Sequence, residues 1–233
     1  MWIRSELKAR GKARFRANYW PCVLAGFLLS LSGGSSIVSL QYTTNQNSSD
    51  YGYGSYGYNP FFHIPEGLMG FLVAFGAVLV LATILISIFI LAPLQVGCYR
   101  FFLVNALQNA ETSEIGRPFS KSYMNTVLVM FLTSLFTALW SLLLIVPGII
   151  KAYAWRFVPY ILAEKPDIDQ KEARELSAAM MNGHKWNAFV YDLSFIGWIF
   201  LGVLTLGLLN LFYVNPYKGA SDAELYLAIR TQS

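Results

Sequence analysis

The chain alternates between long apolar runs and short polar interruptions. Leu68 to Cys98 holds no Asp, Glu, Lys or Arg. A helix of about 20 apolar residues crosses the hydrocarbon of a bilayer, so this run alone predicts a membrane span. It continues as one long helix to about Leu107, with Pro93 deep inside and Arg100 near its inner end. Further runs predict spans over Trp20–Leu40, Val127–Val146, Ile149–Ala163, Ala188–Leu206 and Gly207 to about Leu227, the last bent at Pro216. The first is the weakest, because Ser32, Gly33, Gly34, Ser35 and Ser36 interrupt it. Pro147–Gly148 predicts the turn between two of the spans. The expected fold class is all-α, a polytopic transmembrane helical bundle of about six spans with interfacial amphipathic helices. It forms a single integral membrane domain over residues 1–233.

The polar segments have their own patterns. Residues 1–19 set Ile3, Leu7 and Phe15 on a loose apolar face among basic side chains, which predicts a basic helix lying on anionic lipid. A cleaved signal peptide is the competing reading, disfavoured by the long basic stretch and the missing small-residue cleavage site. Residues 41–66 are rich in Tyr, Gly, Ser and Asn and read as an extracytoplasmic loop carrying Tyr51, Tyr53, Tyr56 and Tyr58. Residues 167–183 form a second amphipathic helix on the cytosolic interface. Asp169 and Glu172 have the form of a capping box, Ala173, Leu176 and Met180 share a face, and Gly183 stops the helix.

Composition strengthens the membrane reading. The chain is 55% hydrophobic and 13% charged, against about 25% charged in soluble domains. The net charge of +4 does not point to nucleic acid, because the basic residues follow membrane topology rather than a stripe on a soluble fold. Of the 17 Lys and Arg residues, 15 fall in segments 1–20, 98–126, 164–187 and 217–233, and none in the proposed outer loops. Cytosolic loops carry such an excess, so both termini are expected inside a plasma membrane. Five spans with an outer C-terminus is the alternative. Cys22 and Cys98 read as packing thiols facing a reducing compartment.

Candidate chemistry is sparse. His184, Lys185 and Trp186 open the Ala188–Leu206 run, and such residues suit a membrane interface: Lys185 for headgroup phosphate, Trp186 for the aromatic belt. The other histidine, His63, falls on the opposite side of the expected bilayer, so the two cannot share a metal ion. Arg156 and Asp192 are sharper. An ionisable residue inside a span is costly and marks either a structural pair or a functional one. Arg156 lies eight residues before Glu164 and Asp192 five after Asn187, depths of roughly 12 and 7 Å from the cytosolic side at about 1.5 Å per residue. The two meet if their spans are neighbours. Lys151 is nearer the outer end. Pro93/Gly97, Pro159/Ala163 and Pro216/Ala220 share a Pro-x-x-x-small spacing in alternate spans, which hints at three helical hairpins of one type.

Three segments carry a family resemblance: "RSELKARGKARFRANYW", "VPGIIKAYAWRFVPYILAEKPDI" and "SAAMMNGHKWNAFVYDLSFIGWIFLGVLTLGLLNLFYVNPY". Together the chain resembles the bacterial integral-membrane family catalogued as domain of unknown function 975. The resemblance implies a polytopic helical protein of the cell membrane and implies no activity. No nucleotide-binding loop, metal cluster or nucleophile constellation is legible, so neither a cofactor nor an enzyme is expected. The expected function is a non-enzymatic module binding membrane lipids, a membrane protein or a second copy. A small transporter using Arg156 and Asp192 is the alternative, and an intramembrane lipid-modifying enzyme a more distant one.

Overall fold

A computed structural model describes residues 2–32, 66–120 and 122–232. The expected loop over 41–66 lies almost entirely outside the described residues, as do its four tyrosines and His63. Every regular element among the described residues is helical. In chain order these are α1 (Arg4–Ala17), α2 (Tyr19–Leu31), α3 (Glu66–Ile86), α4 (Ala92–Leu107), a 3₁₀ helix (Thr112–Phe119) and α5 (Tyr123–Leu143). Then come α6 (Ile145–Ala154), α7 (Val158–Glu164), α8 (Gln170–Met180), α9 (Lys185–Leu193), α10 (Ile196–Leu204) and α11 (Asn215–Arg230). Three stretches are long and apolar enough to cross a membrane: Ala74–Leu107, Tyr123–Leu143 and Lys185–Leu204.

The helices are arranged as a motif used three times. A short helix precedes an outgoing limb and a returning one, and the turn between them falls among the described residues in two of the three. The 3₁₀ helix leads into α5 and back through α6 and α7. Helix α8 leads into α9 and α10, turns at Thr205–Gly207 and returns through α11. Leu206 and Gly207 both take positive φ at that turn (54° and 86°), a conformation glycine adopts freely and leucine does not. Helix α1 leads into α2, which packs on the returning α4.

The returning limbs share one defect at one place. Pro93, Pro159 and Pro216 each occupy the second position of α4, α7 and α11. Proline lacks an amide hydrogen and its ring crowds the preceding turn, so the backbone before it must loosen. It does so as a π-helical turn over Ser87–Leu91, a bend at Trp155–Phe157 and a second π-helical turn over Asn210–Val214. The spacing seen in the sequence therefore marks equivalent positions, and Gly97, Ala163 and Ala220 are all buried.

These returning helices make the core. Helix α4 contacts both α7 and α11, and Tyr160 stacks on Tyr226 at 5.0 Å between α7 and α11. Each also packs on the leading helix of the next motif: α4 on the 3₁₀ helix, α7 on α8, and α11 on α1, which closes a ring. Gly97 lies so close to the 3₁₀ helix that a Cβ there would sit 2.0 Å from the Ile115 carbonyl oxygen. The far ends of the limbs differ from this core. Large apolar side chains of Phe71–Ile90, Leu135–Ile150 and Ile196–Phe212 stand at the surface, up to 94% exposed at Leu206. Water does not tolerate such an area, whereas lipid does.

Three expectations need correction. Pro147–Gly148 is not the turn. The break falls at Leu144, whose backbone is extended (φ −156°, ψ 133°), and Pro147 lies in the first turn of α6. Proline fits there because amides of a first turn have no intrahelical partner. The apolar face expected to lie on lipid in the basic N-terminal helix is covered by protein: Leu7, Gly11 and Phe15 are buried, with α1 packed along α11. In α8 the buried face is Ala173, Ser177 and Met180, and Leu176 stays 37% exposed. Asp169 does cap α8, accepting from the Lys171 amide at 2.9 Å, and Gly183 ends the segment with φ 76°.

Candidate functional site

The bend at Trp155–Phe157 frees two backbone groups in the protein interior. Ser177 of α8 satisfies both. Its Oγ donates to the Ala154 carbonyl at 2.8 Å and accepts from the Phe157 amide at 3.2 Å. Buried irregular backbone persists only where other protein groups complete its hydrogen bonds. The bend so supported projects Arg156 away from the line of α6 and toward α9 and α11.

There Arg156 meets Asp192. Its Nη1 donates to Oδ2 at 2.7 Å and its Nη2 to Oδ1 at 3.1 Å, a two-pronged contact. The sequence brought these two residues together by depth, and the structure joins them. It also adds two partners. Arg156 Nη2 donates to Asp222 Oδ1 at 3.0 Å, and Lys218 Nζ lies 2.8 Å from Asp222 Oδ2 and 3.2 Å from Asp192 Oδ1. Each cation therefore touches both carboxylates, and the ring is neutral. The Tyr153 hydroxyl donates to Asp192 Oδ2 at 3.0 Å. Side-chain exposure is 14% for Arg156, 18% for Asp192, 6% for Lys218 and 14% for Asp222. Charges this far from water persist only when paired and hydrogen-bonded, which is the arrangement here.

Lys218 and Asp222 escaped the sequence reading. Basic-residue counting assigned Lys218 to the cytosolic tail, so its charge needed no partner. The usable signal was their spacing, since residues four apart share a helix face. Ser177 was equally invisible, because nothing local announces a hydroxyl that serves a bend in another helix.

The interfacial trio behaves differently. His184 sits at the start of α9, Lys185 is half-buried, and Trp186 is 72% exposed with its ring 5.5 Å from Phe189. None reaches the ionic ring. Lys8 of α1 donates to the Ser194 carbonyl at 3.2 Å between α9 and α10 and lies 4.2 Å over the Phe195 ring. Partial burial, with Arg4 nearby, holds its ammonium below the usual lysine range. Lys151 lies over two indoles, Trp140 at 5.2 Å and Trp155 at 5.5 Å. Such cation–π contacts draw the ammonium to the ring faces.

Three cavities stand apart from the ring. One of about 530 Å³ is bounded by Leu31, Ser87, Gln95, Met130 and Ser134. One of about 290 Å³ involves Arg100, Arg117, Thr126 and Glu164. The third, of about 410 Å³, lies between α1, α4 and α11. None of the three is lined by a member of the ionic ring. Among the described residues no cluster of three His, Cys, Asp or Glu side chains is placed to hold a metal ion. Cys22 and Cys98 are buried free thiols, and Asn105 Nδ2 donates to Cys22 Sγ at 3.4 Å.

Membrane-length apolar helices around a buried, self-neutralising ionic ring define an all-helical, membrane-associated class of protein. Within that class, the sequence profile of a family described as "Protein of unknown function (DUF975)" matches residues 62–233, and the chain belongs to that family. No curated protein and no solved structure matches the chain.

Proposed function

We propose that this protein is a non-enzymatic, multi-pass module of a bacterial cell membrane that binds lipid or a membrane partner. In this reading it has six spans, both termini on the cytosolic side, and the ionic ring as an internal lock. The repeated motif supports six spans. Two returning limbs are too broken to count as single apolar helices, yet each retraces the limb before it. The distribution of Lys and Arg supports the orientation.

One observation carries the reading of the ring: its charges are spent on one another. Every oxygen of Asp192 and Asp222 faces Arg156 or Lys218. A transported ion or substrate needs an open coordination position, and a carrier site in a broken helix bundle offers one to water. A lock needs the closure seen here. The test is flux in proteoliposomes. The lock reading expects an Asp192→Asn protein that still folds to move no solute differently from the native protein. Substrate-dependent flux lost in that folded variant identifies a transporter instead. Orientation is checked by single cysteines at Ser55 and Ser120, which should label from opposite sides.

A further inference from the structure

The third cavity holds a side chain that no neighbour claims. Glu224 of α11 is 7% exposed and lines the cavity of about 410 Å³ together with Arg10 and Arg14 of α1, Leu107 of α4, Leu227 of α11 and Thr231 just beyond it. Among the described residues its carboxylate takes part in no hydrogen bond and no ion pair. The two arginines act on it only at longer range and are turned elsewhere. Arg10 pairs with Glu6, and Arg14 Nη2 donates to the Leu107 carbonyl at 3.3 Å. The Glu224 carboxylate oxygens stay open to the cavity rather than sealed in protein, so a ligand can reach them, and each of these arginines retains donors beyond its present bond. The cavity thus presents one unmet acceptor inside, two cations along α1, and apolar walls between them.

We infer that this cavity binds an amino-phosphate: a primary amine seated on Glu224, with its phosphate held by Arg10 and Arg14. The order of charges decides the class. A simple anion has the arginines to gain but must approach the carboxylate. A simple amine gains Glu224 but must pass the arginines. A zwitterion with amine and phosphate a few bonds apart satisfies all three, and ionised hydrogen bonds supply both ends. Phosphoethanolamine is the smallest such group. It occurs free and as the headgroup of a lipid, and both sources present the same chemistry to the site.

The site names a ligand for the binding-module reading and rests on it, but the two fail separately. Flux through the ring would overturn that reading and leave this cavity untouched. The test uses the full chain in nanodiscs of phosphatidylglycerol, titrated by calorimetry with soluble phosphoethanolamine and with inorganic phosphate. Phosphoethanolamine should bind about tenfold or more tightly than phosphate, the gain expected of one buried charge-assisted bond. Glu224→Gln should erase that preference without lowering the unfolding temperature, since it removes no hydrogen bond. Arg10→Gln, at an exposed residue of the cavity wall, should weaken both probes. Repeating the titration with phosphatidylethanolamine in the nanodisc separates the sources. Lost binding of the soluble probe identifies the lipid headgroup, and retained binding the free compound. Equal affinity for the two probes overturns the proposal, as does a preference that survives Glu224→Gln. Absence of binding by either probe to folded protein overturns it too.

Discussion

Ser177→Ala removes one oxygen atom and should cost far more than its size suggests. The hydroxyl is fully buried and supplies partners for the Ala154 carbonyl and the Phe157 amide. Ala154 and Phe157 are themselves 3% and 0% exposed, so water does not readily replace it. A buried backbone group left without a partner costs about 1–3 kcal/mol. Two such groups give about 2–6 kcal/mol, a large share of the about 5–15 kcal/mol that holds a typical domain together. The loss should be local first, because the bend carries Arg156 into the ionic ring. The assay is denaturant unfolding of purified protein in detergent, paired with hydrogen exchange at the Phe157 amide. The native amide should exchange slowly and the variant amide much faster. Ser113→Ala, at an exposed site, is the control and should change stability by less than about 0.5 kcal/mol. A Ser177→Ala protein as stable as the control, with Phe157 still protected, would refute the reasoning.

Asp222→Asn should destabilise the protein by about 3–5 kcal/mol in the same unfolding assay, because it leaves a buried excess of positive charge. Adding Lys218→Met should recover most of that loss, since the remaining Arg156–Asp192 pair is neutral again. Gly97→Ala drives a methyl group into the Ile115 carbonyl and should lower stability by about 1–3 kcal/mol or more. Gly76→Ala meets nothing within 4 Å and should be neutral or stabilising by up to about 1 kcal/mol in the same measurement. Cys22 and Cys98, both buried, should resist maleimide in folded protein and react once it is unfolded.

The apolar runs were legible because lipid asks only for length and hydrophobicity, and Leu68–Cys98 states both without reference to any neighbour. The Pro93, Pro159 and Pro216 spacing was legible for a related reason, since proline changes the backbone wherever it falls. The turn at Leu144 was not, because nothing marks that residue and the nearby Pro147–Gly148 competes as a signal. Arg156 and Asp192 were found from depth alone, as costly charges that need partners. Lys218 was lost because a tail offered it solvent. The faces of α1 and α8 show the same limit. An amphipathic stripe has the same pattern whether lipid or protein covers it, and only packing tells which. Leu176 and Ser177 make the point within one helix: the more apolar of the two is the one left outside.

The ring of leading and returning helices sets an order of assembly. Helix α1 leaves the ribosome well before α11, on which its apolar face packs. Gly11 is fitted so closely to Ser221 that a Cβ there would lie 2.8 Å from the Ser221 Cα. Until α11 has been made, Leu7 and Phe15 lack the cover they have in the folded protein. A basic amphipathic helix has a natural waiting place on anionic lipid. In the proposed reading, a lipid contact of the apolar face of α1 belongs to the stage before α11 docks and covers Leu7 and Phe15.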